Sequence, residues 1–159
     1  MTVTINFLAD NPELVSTLAE WTYDAWSQYD PELTIERATQ SLVRSQNREK
    51  IPLSFVALDG ARPIGMATLK ESIRVPGYQM KTPWLGSFYV QPDYHNQGVG
   101  SALLDAIYAK AKKLGYKVVY LFASDASVVP WYEKHGWQRF ATDTFYEREV
   151  TLMCCHLPD

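Results

Sequence analysis

The sequence predicts an α/β (mixed α+β) fold, in which a mixed, mostly antiparallel sheet of six to seven strands is flanked by about four helices. Short β-branched and aromatic runs alternate with stretches of helical period, in the order β-α-α-β-β-β-α-β-α-β-β. Helices separate some strands and tight turns join others, which favours a mixed sheet covered by helices. Of the 159 residues, 47% are hydrophobic, which is enough for one domain, residues 1–159, with a substantial core.

The first elements are a strand and two helices. "TVTINFL", residues 2–8, alternates and is β-branched, so it predicts a strand. Asn11 followed by Pro12 is typical of a helix start, with a capping side chain and proline at the first helical position. This helix is expected to run to about residue 28. Thr34 is expected to begin a second helix that ends near residue 47.

The middle of the chain predicts a hairpin and a further strand. "LSFVAL" and "RPIGMATLKESI", residues 53–58 and 62–73, are joined by Asp59-Gly60, a turn dipeptide. "WLGSFYV", residues 84–90, is the fourth strand. The later elements are a helix, a buried strand, a short helix and two final strands, at residues 99–114, 117–123, 127–136, 137–143 and 148–157.

The overall composition excludes several classes of protein. A net charge of −3 argues against nucleic-acid binding. Cys154 and Cys155 are neighbours, so they cannot form an ordinary disulfide, and no cluster of metal ligands surrounds them. No apolar run reaches the ~18 residues of a membrane span. The first residues have neither a basic start nor a long apolar stretch, so we expect no signal peptide and a cytoplasmic protein without a metal.

Two glycines stand where the third helix should begin, in "VQPDYHNQGVGSALL". Glycine is about 1 kcal/mol worse than alanine in a helix, so Gly98 and Gly100 need a reason. The open start of a helix presents unpaired backbone N–H groups and a positive dipole end, which together bind phosphate. A phosphate-binding P-loop is absent, and a dinucleotide fingerprint would need a glycine at Leu103. A tight strand-to-helix turn is the alternative explanation.

The same stretch resembles the pyrophosphate loop of the GNAT superfamily of acyl-CoA-dependent N-acetyltransferases. The family pattern is Arg or Gln, two residues, Gly, one residue, then Gly or Ala; here it is His95-Asn96-Gln97-Gly98-Val99-Gly100. His95 departs from this pattern, but backbone amides do most of the binding in such a loop. "LFASDASVVPWYEKHGWQRF" resembles the family's fifth strand, fourth helix and sixth strand, so the similarity covers most of the chain.

The resemblance implies acetyl-CoA as co-substrate. The pantetheine arm would lie between splayed fourth and fifth strands and bond to the fourth-strand backbone like an added strand. The amides from Gln97 to Ser101 would meet the pyrophosphate. Asp125 stands where many relatives have an asparagine, and a carboxylate cannot donate as an amide does. The cofactor residues implied in this way are Phe88, Tyr89, Val90, His95, Asn96, Gln97, Gly98, Val99, Gly100, Ser101 and Asp125.

Two catalytic residues are implied as well. Tyr132 matches the family's usual acid, which gives a proton to the leaving thiolate; the alternative is a core aromatic whose hydroxyl is already bonded. Glu71 follows the third strand and is the candidate base, the alternative being a solvated carboxylate. Tyr23, Trp26 and Tyr29 could hold a cationic amine by cation–π contact, or could serve as core packing.

The sequence therefore predicts an enzyme that transfers an acetyl group from acetyl-CoA to a primary amine of a small molecule or peptide. The amine would attack directly in a ternary complex. A non-catalytic acyl-CoA-binding module of the same fold is the alternative function. The acceptor and the acyl chain are left open, as is the choice between monomer and homodimer.

Overall fold

Seven strands and four helices make up the computed structural model, which describes residues 2–159. The strands are β1 Val3–Phe7, β2 Leu53–Asp59, β3 Arg62–Lys70, β4 Trp84–Val90, β5 Val118–Ala123, β6 Gln138–Phe145 and β7 Arg148–His156. The helices are α1 Val15–Trp26, α2 Ile35–Arg44, α3 Val99–Lys113 and α4 Val129–Lys134. The predicted fold class and element order are confirmed.

The strands form one sheet in the order β1-β2-β3-β4-β5-β7-β6. Neighbouring strands are antiparallel except β4 and β5, which run parallel. These two strands pair only where Trp84 lies opposite Tyr120, and the Tyr120 N–H donates to the Pro83 carbonyl at 3.0 Å. Beyond this junction they diverge, so the β5-facing edge of β4 has no partner strand. The splayed strands implied by the resemblance are therefore present.

A β-bulge interrupts β4 in the middle of this free edge. Met66 of β3 pairs with Tyr89 and Thr68 pairs with Gly86, so the register shifts between them. One residue of β3 is thus opposed by Ser87 and Phe88 together, the geometry of a bulge. Ser87 has φ +47°, which a serine adopts only at a cost of about 1–3 kcal/mol. The bulge turns backbone groups of β4 away from the β3 ladder.

Helices cover both faces of the first half of the sheet. Helix α3 packs on one face through Val99, Leu103 and Ile107, which are almost fully buried. Helices α1 and α2 pack on the other face through Leu18 and Leu42. The second half of the sheet, made of β5, β6 and β7, is covered by the segment at residues 71–83, whose apolar side chains pack on these three strands. The space between these covers opens onto the gap between β4 and β5.

Several predicted boundaries need correction. The Asn11 side chain does not cap a helix but donates to the Phe7 carbonyl at 3.2 Å, and one 3₁₀ turn, Pro12–Leu14, precedes α1. Thr34 does cap α2, accepting from the Arg37 N–H at 3.1 Å. Helix α2 ends at Arg44, earlier than predicted, because the chain then turns to pair residue 46 with β2. Strand β3 ends at residue 70 rather than 73, where the chain leaves the β4 ladder.

Candidate active site

A cleft of about 970 Å³ lies between helices α1 and α2, the end of β3, and the diverging strands β4 and β5. Four of the predicted catalytic and cofactor residues line it, namely Glu71, Phe88, Asp125 and Tyr132. They come from four separate parts of the chain, which the splayed sheet brings together. The other predicted cofactor residues lie outside this cleft, along β4 and at the start of α3.

Tyr132 is held by aromatic neighbours while its hydroxyl is free. Its ring lies edge-on to Phe88 and Trp137, at centroid distances of 6.0 and 5.9 Å. The hydroxyl makes no hydrogen bond with any residue in the range 2–159, unlike that of Tyr108, which accepts from Trp137 Nε1 at 2.7 Å. Burial raises the pKa of the Tyr132 phenol, so it is protonated at neutral pH. The cleft thus contains an unused O–H donor.

The three β4 residues differ in where their side chains lie. Phe88 lines the cleft. Tyr89 lies on the opposite face, 5.3 Å from Trp21 between ring centroids, as the alternation of a strand requires. Burial raises the pKa of its phenol, with a smaller effect from the Asp24 carboxylate. The Tyr89 side chain is therefore not available in the cleft.

The loop before α3 is built to present backbone amides. Gly98 adopts φ +82°, a left-handed conformation, and caps the helix without a side-chain bond. The first hydrogen bond of α3 runs from the Ala102 N–H to the Gly98 carbonyl, which leaves the amides of residues 99–101 unpaired within the helix. His95 Nε2 donates to the Val90 carbonyl at 2.8 Å, and Gln97 Nε2 donates to the backbone of the preceding turn. These two side chains hold the loop in place.

The side chain of Trp131 lies next to Gly100, where the sequence suggested a bound phosphate. A Cβ atom added to Gly100 would lie 3.1 Å from Cζ2 of Trp131 and 3.4 Å from Cζ of Phe88. The missing side chain therefore leaves room for an indole ring, and not only for a phosphate. Trp131 stacks on His135 at 3.9 Å, and His135 Nδ1 donates to the Trp131 carbonyl at 2.8 Å.

Ser101 links the start of α3 to α4. Its Oγ lies 3.0 Å from His135 Nε2. In the neutral imidazole whose Nδ1–H bonds the Trp131 carbonyl, Nε2 accepts from the serine hydroxyl. Trp131 and His135 together fix the first turn of α3 against the helix that carries Tyr132. Sequence reasoning assigned no role to Trp131, whose only signal was its position beside Tyr132.

The two predicted carboxylates have different surroundings. Asp125 accepts from the Ser127 N–H at 2.9 Å, and this hydrogen bond lowers the pKa of its carboxyl. It therefore acts as a charged cap of the turn before α4. Glu71 is exposed and lies immediately after β3, at the rim of the cleft. It is placed where it could exchange protons with both the cleft and bulk water.

The aromatic residues near α1 are only partly available to a ligand. Trp26 and Tyr29 line the cleft, whereas Tyr23 does not. The ring of Tyr29 already has the guanidinium of Arg148 over it, 5.3 Å from the centroid. Of the three candidates for holding a cationic amine, only Trp26 lines the cleft without a cation already stacked on it.

Arg74 closes one side of the cleft mouth. Its guanidinium pairs with Asp30 and Glu32, in the connection between α1 and α2, and also bonds the hydroxyl of Tyr146. Tyr146 lies in the turn between β6 and β7 and itself bonds Glu32. One side chain therefore joins three segments that are far apart in sequence.

Within residues 2–159, no group of three or more histidine, cysteine, aspartate or glutamate side chains is arranged to hold a metal ion. Over the same part of the chain, no helix has the length and apolar character needed to cross a membrane.

The comparison with known families identifies the class of protein. The sequence model of the acetyltransferase (GNAT) family matches residues 12–137, most of the chain. The chain belongs to this family, as its glycine loop and α4 region implied. No curated protein sequence matches it.

Solved structures share the fold at low sequence identity. An aminoglycoside 6'-N-acetyltransferase complexed with coenzyme A is 15% identical with a TM-score of 0.76, over 100% of this chain and 98% of the other. The ribosomal-protein-S18-alanine N-acetyltransferase from Escherichia coli is 18% identical with a TM-score of 0.69, over 99% and 96%. A PaiA N-acetyltransferase from Thermoplasma acidophilum, in complex with coenzyme A, is 22% identical with a TM-score of 0.71, over 98% and 99%.

Proposed function

We propose that this protein transfers an acetyl group from acetyl-CoA to a primary amine of a small molecule or peptide, within a ternary complex. The free hydroxyl of Tyr132 in the cleft is the observation that carries this proposal. A phenol that is protonated, held by packing and bonded to no other residue in the described chain is available to a reacting group. Membership of the acetyltransferase family supports the same reaction.

Three features of this chain fit acetyl-CoA. The free edge of β4 offers unpaired backbone groups to the amides of a pantetheine arm. The unpaired amides at the start of α3, with the positive end of the helix dipole, suit a pyrophosphate. The gap between β4 and β5 connects the free edge of β4 with the amides at the start of α3. Phe88, Tyr89, Val90 and the loop at residues 95–101 are the proposed cofactor site, with Asp125 at its edge.

The residues have separate roles in the proposed reaction. The neutral amine attacks the thioester carbonyl, the C–N bond forms, and the C–S bond breaks. A backbone N–H at the Ser87–Phe88 bulge stabilises the oxyanion that forms in between. Tyr132 gives its proton to the departing sulfur, and the proton lost by the amine passes to Glu71 directly or through water. Burial raises the pKa of the Tyr132 phenol, so the phenol holds its proton until negative charge develops on the sulfur.

The alternative is a protein that binds acyl-CoA without catalysis. Such a protein needs the free β4 edge and the α3 amides, but it has no use for an unbonded phenol beside them. The Tyr132 hydroxyl therefore favours the enzyme. The two functions differ in a simple measurement, which is the release of CoA thiol from acetyl-CoA.

The test is an assay of thiol release with aminoglycosides, polyamines, amino acids and peptides as acceptors, alongside calorimetry of CoA binding. The enzyme predicts CoA binding together with thiol release that depends on one class of amine. CoA binding with no release above the amine-free rate for any acceptor would instead identify a binding module. Mass spectrometry of the product checks that the acetyl group is on nitrogen.

A further inference from the structure

Lys70 places a cation at the floor of the cleft. It is the last residue of β3 and pairs with Trp84 across the ladder. Its side chain runs over Gly86 of β4, since a Cβ atom at Gly86 would lie 2.7 Å from Lys70 Cε and 3.1 Å from Nζ. Gly86 therefore makes room for this side chain. The ammonium group lies beside the β4 backbone, one residue before the Ser87 bulge.

The ammonium group of Lys70 has no partner. Among residues 2–159 it forms neither an ion pair nor a hydrogen bond. The neighbouring Asp30 carboxylate is already paired with Arg74, which also bonds Glu32. Burial lowers the pKa of Lys70, and the charge of Arg74 lowers it further, against a smaller opposite effect of Asp30. Lys70 is half-buried and lines the cleft, where it has no counter-ion, so this position is suited to a bound anion.

Helix α2 adds positive charge on the same side. Arg37 and Arg44 are seven residues apart, so they lie on one face, and both line the cleft. Neither forms an ion pair with another residue of the described chain. The carboxylates of the cleft that are not in ion pairs are Glu71, at its exposed rim, and Asp125, which is bonded to a backbone amide. The cleft as a whole thus has more cations than carboxylates outside ion pairs, namely Lys70, Arg37 and Arg44 against Glu71 and Asp125.

We propose that Lys70 binds a carboxylate that the acceptor carries one or two carbon atoms from its reactive amine, so that the acceptor is an amino acid. This inference rests on the proposed function. If the thioester carbonyl lies at the Ser87 bulge, the attacking amine is held within a few ångströms of Gly86, over which Lys70 runs. Consecutive Cα atoms are about 3.8 Å apart, so only an anion close to the amine reaches both. The bound carboxylate favours the protonated form of Lys70, because a nearby anion opposes the effect of burial on its pKa, and Lys70 takes part in no bond change.

The experiment compares acceptors that differ only in the carboxylate. Each α-amino acid of a panel is assayed beside its carboxamide and its decarboxylated amine. A charge-assisted contact predicts a value of kcat/KM at least about tenfold higher for the amino acid in the parent protein. In Lys70→Met this advantage should disappear, through a higher KM for the amino acid, while the decarboxylated amine reacts as before.

Two controls separate recognition from damage to the fold. Lys81→Met removes another lysine, whose ammonium lies over Tyr120 outside the cleft, and should preserve the preference for the carboxylate. Melting curves of both variants should stay near that of the parent, since neither lysine loses an ion pair or a hydrogen bond and Lys81 loses only its contacts with two aromatic rings. Calorimetry of the preferred amino acid with the CoA-saturated protein gives a second readout, and the heat of binding should be lost in Lys70→Met.

Three outcomes would overturn the proposal, and they are distinguishable. Equal or faster turnover of the carboxylate-free amines by the parent protein removes the role of Lys70 and leaves the acetyltransferase function in place. An equal loss with every acceptor in Lys70→Met, with a shifted pH profile, would identify Lys70 as a base instead. CoA binding without thiol release for any amine would remove the proposed function and the role of Lys70 together.

Discussion

Replacing Tyr132 by phenylalanine should separate catalysis from stability. The substitution keeps the ring that packs on Phe88 and removes a hydroxyl that bonds to no residue in the described chain. No hydrogen bond of the protein is lost, so we expect the free energy of unfolding to change by less than about 0.5 kcal/mol. General acid catalysis contributes about 10²–10⁴-fold. The value of kcat should therefore fall by at least about tenfold, even where water replaces part of the donation.

Tyr108→Phe is the matched control. Its hydroxyl accepts from Trp137 Nε1 at 2.7 Å, and Trp137 is only 2% exposed. Removing it leaves a buried N–H without a partner, which costs about 1–3 kcal/mol. In a chain of this size each kcal/mol lowers the melting temperature by about 2–4 °C. Because Tyr108 does not line the cleft, kcat should stay at the parental value. Tyr132→Phe should thus lower kcat and leave the melting temperature unchanged, whereas Tyr108→Phe should lower the melting temperature and leave kcat unchanged.

The assay measures kcat at saturating acetyl-CoA and amine, together with a melting curve and the affinity for CoA. A folded Tyr132→Phe protein with near-parental kcat would refute the acid role. Slow product release could hide a slower chemical step, so pre-steady-state kinetics belongs to the test. If the parent protein shows a burst and the variant shows a burst of the same rate, the chemical step is unchanged and the acid role is refuted.

The remaining predictions concern the helix start, the base and pH. Gly100→Val should cost about 1–3 kcal/mol by crowding Trp131 and should weaken CoA binding at least about tenfold; a parental melting curve would contradict the first expectation, and unchanged CoA calorimetry in a folded variant would contradict the second. Glu71→Gln should flatten or shift the acidic limb of kcat/KM, and a superimposable profile would assign proton removal to another group. Burial raises the pKa of Tyr108 and Tyr132, so folding stability should be full below pH ~10 and decline above it. A smaller decline in Tyr132→Phe checks this, and an equal decline would contradict it.

Local signals in the sequence predicted most of the fold. Thr34 caps α2 as its residue type suggested. Its hydroxyl accepts from the free Arg37 N–H three residues further on, so the contact depends on no residue distant in sequence. Gly98, Gly115 and Gly136 adopt positive φ at helix ends, which is also a local property. Asn11 failed as a cap because the Phe7 carbonyl, part of the preceding strand, competes for its side chain.

The candidate site was less accessible to sequence reasoning, because its geometry depends on strand register. The bulge at Ser87 follows from how β3 and β4 align, and serine carries no signal for a positive φ. Lys70 crosses Gly86 only because the two strands are neighbours. The contact between Gly100 and Trp131 joins helices that are about thirty residues apart. Each of these is a tertiary contact that periodicity and composition do not encode.

The narrow junction between β4 and β5 also governs how the protein unfolds. Backbone hydrogen bonds connect the two halves of the sheet at a single residue pair, Trp84 and Tyr120, whose rings lie 5.4 Å apart. Elsewhere the halves are coupled by side chains, through the apolar cluster that includes Leu53 and Met153, the cluster around Trp84, and the contacts of Arg74 with Asp30 and Tyr146. Cooperativity between the halves therefore depends on packing rather than on a hydrogen-bond ladder. We therefore expect substitutions at Trp84 to destabilise both halves at once, and substitutions at the outer strands to act on one half.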